Sequence, residues 1–479
     1  MSTTNRTKIV VTIGPASRTP DVLRQLMEAG ADVFRLNFSH GTHDEHSAVL
    51  ADIRAISGQL GRHVAVLQDL CGPKMRLEPF PGDVLECRLG DEFTLVEGPI
   101  SGPGELACTY RSLPNDLKPG ESILFADGTV GMTVTEVAPN RARMRVTLPG
   151  RLRSRQGLNL PGSNLAVSSL TEKDLRDLDW TARHAGDVDF VGLSFARGPE
   201  DVALLRRELD ARKCPALVVV KIEKPQAVKR IEEIITVTDA VMVARGDLGV
   251  EMDVHRVPAI QKRIIALCNR ANRPVITATQ MLNSMEHSSR PTRAEASDVF
   301  NAVVDGTDAV MLSGESAVGQ YPVEAVSTMR EVCEEAERYL ESAPRSGAEG
   351  LSPLASLKDP VTGASVDAAC LIAQQLNAAL IIVSTHSGRT ALALSNRRPA
   401  VAIVALARSE HVARALCLCW GVTAIVFPDA LPPEDALKRG IDWAKSQGLV
   451  GPGQHAVLLR GQQIGDRSDI RAVLTGAIY

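Results

Sequence analysis

Aromatic residues make up only 3% of the 479 positions, and no eighteen or so apolar residues run together. The first scarcity leaves few flat side chains on which bases could stack, and it makes the core aliphatic, which suits buried parallel strands better than an aromatic-rich sandwich. The second excludes a transmembrane helix. Excess charge is missing too. Lys and Arg number 53 against 57 Asp and Glu, a formal net charge of −4, so no surplus exists to neutralise a nucleic-acid backbone. The nine cysteines include no CxxC pair; Cys417 and Cys419 share a segment but have no matching pair or His cluster nearby, which disfavours zinc and a disulfide framework. The opening residues lack the apolar stretch of a secretory signal. A cytoplasmic protein without nucleic-acid or membrane partners is the expectation. GxxxxGK[ST] and a post-strand GxGxxG are also absent, so any nucleotide binds by neither a P-loop nor a Rossmann turn.

What is present is a rhythm. Short apolar runs recur at 8–14, 33–39, 64–70, 190–195, 217–223, 241–245, 274–279 and 309–313. Between them lie segments with apolar residues spaced by three and four, several opening with Pro at the first helical turn. Eight such units predict a (β/α)8 barrel over 1–70 and 170–342. Residues 71–169 alternate with period two between Pro-Gly, Asp-Gly and Asn-Arg turns and predict an inserted β cap. A Ser/Pro/Gly-rich stretch at 343–353 reads as a linker, and 354–479 as a separate C-terminal α/β domain.

Barrel function collects at the carboxyl ends of the strands. There the sequence places Arg35, Asn37, Ser39 and His40 after the second strand, Asp69 after the third, and Lys221 and Glu223 after the fifth. Arg245 to Asp247 follow the sixth strand, Thr279 and Gln280 the seventh, and Ser313 and Glu315 the eighth. Glu223 and Asp247 close adjacent strands, a donor pair suited to a hard divalent cation such as Mg²⁺. Lys221 shares a strand face with Glu223 because side chains alternate. With Arg35 and Arg76 it would surround an anion beside the metal, as phosphoryl transfer requires.

These segments resemble the pyruvate kinase family. The runs KIVVTIGPAS at 8–17, RLNFSHG at 35–41, KIEKPQA at 221–227, VARGDLGVE at 243–251, TATQML at 277–282, RPTRAEASDV at 290–299 and LSGESA at 312–317 match it in order and spacing. The resemblance implies a barrel with a cap inserted after the third strand and a C-terminal domain carrying effector sites. It also implies transfer of the phosphoryl group of phosphoenolpyruvate to ADP, with Mg²⁺ or Mn²⁺ held by Glu223 and Asp247. Lys221 and Arg35 would stabilise the phosphoryl group and the enolate, and the Gly246 and Asp247 amides would hold the substrate carboxylate beside Thr279. Thr279, Ser313 and Glu315 would belong to the proton-delivery route. Arg76 would reach the phosphate when the cap closes, and Asp127 would face the same cleft. A homotetramer is implied likewise. The competing readings are a nucleotide-independent metal-enolate lyase or aldolase on the same fold, and a regulatory paralogue that only binds.

One departure stands out. Where the family reads Asp-Thr-Lys-Gly-Pro-Glu-Ile-Arg, this chain has Asp69-Leu-Cys-Gly-Pro-Lys74-Met-Arg76. Asn37, Ser39, Asp69 and the Leu70 carbonyl match the family's monovalent-cation ligands, but the neighbouring acid has become Lys74. A K⁺ ion about 4 Å from an ammonium costs about 4 kcal/mol at an effective dielectric of about 20, so the expectation is that Lys74 replaces K⁺. In the C-terminal domain, Ser384, Thr385, Ser387, Gly388, Arg389 and Thr390 follow an apolar run and open a helix, which predicts a cradle for a phosphorylated effector. Arg397 and Arg398 follow close behind.

Overall fold

A computed structural model describes residues 6–126, 128–161, 167–342, 360–427, 432–464 and 467–478. Asp127 and the 343–353 linker lie outside the described residues.

Eight parallel strands close into a barrel: β1 (Lys8–Ile13), β2 (Val33–Asn37), β3 (Ala65–Asp69), β4 (Phe190–Leu193), β5 (Leu217–Ile222), β6 (Ala240–Ala244), β7 (Val275–Ala278) and β8 (Ala309–Leu312). Runs such as KIVVTI in β1 and AVMVA in β6 are buried along their whole length, because one face meets the barrel interior and the other the helices outside. Those helices begin where the sequence supplies caps. Pro20 starts Pro20–Ala29, while Thr42, Thr171 and Thr292 each form a capping box with the acid three residues on. Two segments differ from the expected βα rhythm. The helix after β5 breaks at Arg230 into Pro225–Lys229 and Ile231–Val237, and a short helix, Arg245–Glu251, follows β6 directly.

The base of the barrel carries a repeat. Asp32, Asp189, Asp239 and Asp308 immediately precede β2, β4, β6 and β8. Each carboxylate accepts a backbone N–H from the preceding odd-numbered strand: from Ile9 at 3.0 Å, Val66 at 2.8 Å, Val218 at 2.8 Å and Val275 at 2.9 Å. These bonds satisfy strand-end donors that the parallel ladder leaves open. Each aspartate also meets an arginine: Arg62, Arg54, Arg206 and Arg398 respectively.

Between β3 and β4 the chain forms the cap. Its six-stranded sheet comprises Glu92–Val96, Glu105–Leu106, Ser122–Phe125, Val130–Ala138, Arg141–Leu148 and Leu158–Asn159, and Val84–Cys87 pairs separately with Gly150–Arg153. The cap has its own core, including Leu95, Phe125, Met132 and Met144. The outgoing and returning chains hold each other at the hinge, Leu77 N–H donating to Gln156 and Leu158 N–H to Met75.

The C-terminal unit is a five-stranded sheet of β9 (Leu380–Thr385), β10 (Ala402–Ala407), β11 (Val422–Val426), β12 (His455–Ile464) and β13 (Arg467–Ala477), in the order β11-β10-β9-β12-β13. Only the β12 and β13 pair is antiparallel. The unit docks on the barrel base, where Arg414 reaches Asp189 at 2.8 Å, Arg398 reaches Asp308 at 2.9 Å, and Lys8 Nζ donates to the Val422 carbonyl at 2.9 Å. Two opposite members of the aspartate ring are therefore held from the C-terminal unit.

Candidate active site

Four charged side chains interlock at the carboxyl ends of β2, β3 and β5. Arg35 lays Nε and Nη2 on Asp69 Oδ2 at 2.7 and 2.6 Å, and its Nη1 donates to Thr12 Oγ1 at 2.9 Å. Lys221 Nζ stands 2.8 Å from Glu223 Oε1, 3.4 Å from Asp69 Oδ2 and 2.8 Å from Ser194 Oγ. Burial alone would raise the Asp69 pKa, but Lys221 and Arg35 outweigh it and hold the carboxyl below its ordinary value. Burial likewise works against the Lys221 ammonium; Asp69 and Glu223 overcome it, and Lys221 stays charged to well above neutral pH.

Glu223 is fully buried and its pKa is raised, by burial and by the negative charge of Asp247, against the pull of Lys221. Its Oε2 accepts the Phe195 N–H at 2.7 Å. Its Oε1 is sealed from solvent and, although close to Lys221 Nζ, makes no aligned hydrogen bond. Two carboxylates within electrostatic reach of each other, one of them fully buried at the strand rim, fit a hard divalent cation.

Beside them, Asp247 lies in the first turn of helix Arg245–Glu251, where the Gly246 N–H donates to Thr279 Oγ1 at 2.7 Å. Thr279 and Gln280 both have positive φ, 69° and 55°. Arg245 braces that turn by donating to the Ala278 and Thr279 carbonyls and pairing with Asp298 at 2.7 Å. Glu315 is turned to the backbone rather than the cleft. It accepts N–H groups from Leu282 at 3.1 Å and Ser313 at 2.7 Å, and burial raises its pKa. Ser313 Oγ is buried and makes no hydrogen bond.

At the hinge, Lys74 Nζ is 3.6 Å from Asp247 Oδ1. Arg76 forms a bridge with Gly157 and donates to the Arg155 carbonyl at 3.3 Å. His40 is held below its ordinary pKa by burial and by Arg76, Lys74 and Arg35 in turn, so these three cations converge on one rim. The oxygens expected to bind a monovalent cation already have protein partners: Asn37 Oδ1 accepts the Ser39 N–H at 3.1 Å, Leu70 O accepts Ser194 Oγ at 2.7 Å, and Asp69 is held by Arg35.

In the C-terminal unit, Ser384 and Thr385 end β9, and the Gly388 N–H donates to Thr385 Oγ1 at 3.0 Å. Gly388 has φ of 82° and precedes helix Arg389–Ser395; Arg389 Nε bonds Ser387 Oγ at 3.2 Å and Thr390 enters the first turn. Arg397 pairs with Asp367 at 2.6 Å and Arg398 with Asp308, so neither arginine is turned solely to this loop.

Sequence reasoning missed Thr12, Ser194 and Phe195, which end β1 and β4. Neither end carries a charged side chain to mark it, although uncharged polar residues at other strand ends, such as Thr279 and Ser313, stand out in the sequence. The position after an apolar run was the signal that could have found them.

Family models described as "Pyruvate kinase, barrel domain" and "Pyruvate kinase, alpha/beta domain" match residues 4–326 and 364–473. A pyruvate kinase from Methylorubrum extorquens is 41% identical over 466 residues, covering 97% of this chain and 96% of that protein. One from Geobacillus stearothermophilus is 41% identical over 465 residues, covering 96% of this chain and 78% of that protein. A crystal structure of a pyruvate kinase from Cryptosporidium parvum superposes with a TM-score of 0.87 at 32% identity, over 98% of this chain and 96% of that one.

Proposed function

The chain belongs to the pyruvate kinase family and transfers the phosphoryl group of phosphoenolpyruvate to ADP, and on that premise we propose which of its residues perform each part of the reaction. Glu223 and Asp247 hold Mg²⁺ or Mn²⁺, which when bound supplies positive charge against the phosphoryl and enolate oxygens. The observation that carries this assignment is the fully buried Glu223 carboxylate facing the Asp247 charge, which raises its pKa.

The P–O bond of phosphoenolpyruvate breaks as a terminal oxygen of ADP attacks phosphorus, leaving an enolate that takes a proton at its methylene carbon. Lys221 and Arg35 spread the charge of the transferring group. Arg35 can do so without reorganising, because Asp69 and Thr12 fix its guanidinium and leave the rest of the fork to the substrate. The N–H groups of Gly246 and Asp247, in a helical first turn, take the substrate carboxylate, with the Gly246 donor exchanging Thr279 Oγ1 for it. The freed Thr279 hydroxyl then lies beside the enolate and, with Ser313, belongs to the proton route. Glu315 acts behind them, fixing the β8 turn. Closure of the cap brings Arg76 to the phosphate and shuts out water that would otherwise compete with ADP.

Lys74 takes the place of K⁺. Its ammonium stands at the rim beside Asp247 and Arg76, where a further monovalent cation would be repelled. ATP formation from phosphoenolpyruvate and ADP with Mg²⁺ in potassium-free buffer tests both statements. The full rate is expected there, with less than threefold gain on adding KCl, whereas Lys74→Glu should become KCl-dependent by tenfold or more. Tenfold activation of the unaltered enzyme would overturn the role of Lys74, and no ATP under any salt would overturn the site assignment. The same reading extends to a cytoplasmic homotetramer whose Ser384–Thr390 loop takes a phosphorylated effector.

A further inference from the structure

The return strand of the cap is fastened to the barrel at one buried point. Asn159, on the strand Leu158–Asn159, donates from Nδ2 to Glu251 Oε1 at 3.0 Å, and Lys224 Nζ meets the same oxygen at 2.6 Å. Glu251 Oε2 is buried and accepts no hydrogen bond, so the carboxylate is held through Oε1 alone. The two barrel partners sit at informative places in the chain. Lys224 directly follows Glu223, and Glu251 lies one turn beyond Asp247 on the same short helix.

Further contacts lead to the same point. Lys224 Nζ lies over the Phe195 ring, 5.5 Å from its centroid, and Phe195, with φ of 56°, gives its N–H to Glu223. Gly72, on the outgoing side of the hinge, has φ of +64° and passes so close that a Cβ there would stand 3.1 Å from Phe195 Cδ2. Beside the return strand, just past Phe125, which pairs with Leu158, a Cβ at Gly128 would stand 3.7 Å from Val250, the neighbour of Glu251. Hinge, cap strand and the segments bearing both metal-binding carboxylates thus meet around one glutamate. Charge-assisted bonds from two donors to a single oxygen cannot shift independently.

We propose that Glu251 is a positioning residue that couples cap orientation to Glu223 and Asp247 through Asn159 and Lys224, so that Arg76 arrives over an assembled metal site. The proposal rests on the site assignment above. Without Asn159 the cap loses this link to Glu251, while Lys224 and Glu251 keep each other and the barrel is untouched.

Asn159→Ala tests it by two readouts, ATP formation and Mn²⁺ binding to the substrate-free enzyme followed by electron paramagnetic resonance. The expected result is a fall in kcat of at least tenfold with Mn²⁺ affinity within threefold of the parent. Unchanged kcat, or losses in both together, overturns the proposal. A second variant covers the case in which Asn159→Ala fails to fold. Asn159→Asp is isosteric but replaces the amide donor with a carboxylate set against Glu251, while Lys224 keeps its bond to Glu251 Oε1. Its kcat should fall at least tenfold with Mn²⁺ affinity within threefold of the parent, and a kcat equal to the parent's overturns the coupling. An inactive parent enzyme would instead fault the site assignment.

Discussion

Thr279 shows what the site demands of a single residue. A β-branched side chain at φ of 69° is costly, about 1–3 kcal/mol for such a conformation, and it persists because Arg245 holds the turn by its carbonyls. Glycine there would relieve the strain, at an unfolded-state entropy cost of about 0.4–1 kcal/mol and the loss of a hydrogen bond worth about 1 kcal/mol. These nearly cancel. Thr279→Gly should therefore melt within about 3 °C of the parent while kcat falls about a hundredfold or more; a large loss of stability would mean that the residue is structural. At this scale the sequence was legible where a charge stood after an apolar run, as at Arg35, Asp69, Lys221 and Glu223. It was silent where a residue matters through a distant partner. Asn159 and Glu251 lie 92 positions apart, and nothing local to either announces the other. Glu315 is a related case, since its bonds to the Leu282 and Ser313 N–H groups cannot be read from a motif.

Between elements, the aspartate ring decides how the C-terminal unit is held. Asp189 and Asp308 are both buried, but their surroundings differ. Asp189 keeps Arg54 at 2.6 Å if Arg414 is removed, whereas Arg398 is the cation that offsets the burial of Asp308. Leaving a buried charge uncompensated costs about 3–5 kcal/mol. Arg398→Ala should thus lower the first unfolding transition more than Arg414→Ala. The sign of its pH dependence follows from the raised Asp308 pKa. A carboxyl that binds its proton more tightly when folded opposes folding increasingly as pH rises from its unfolded value near 4 through the folded one, and losing Arg398 extends that range upward. The deficit of Arg398→Ala should be larger at pH 7 than at pH 4.5 by thermal melts at both; a constant deficit, or equal effects of the two variants, contradicts the account. Strands buried on both faces were visible as apolar runs. The β12 and β13 pair and helix Pro360–Gln375 were not, because HAVLLRGQQI and PVTGASVDAACLIAQQ carry neither strict alternation nor a clear amphipathic stripe.

In the whole molecule, charge is nearly balanced and yet unevenly spent. Arg35, Lys221, Lys74 and Arg76 gather at the mouth of the barrel under the cap, while Arg54, Arg62, Arg206, Arg398 and Arg414 neutralise the aspartates at its base. One end is left with charge to offer a phosphorylated substrate, and the other uses its charge to hold the fold and the C-terminal unit. The claim at the centre of this account is that Lys221, locked between Asp69 and Glu223, stabilises the transferring phosphoryl group. The measurement that tests it most directly is the rate of Mg²⁺-dependent ATP formation from phosphoenolpyruvate and ADP by Lys221→Met beside the parent enzyme. The account predicts a fall in kcat of about 10²–10³-fold or more, the cost of losing one preorganised charge in such a site, with the variant still folded; a folded Lys221→Met enzyme that makes ATP at the parent's rate would contradict it.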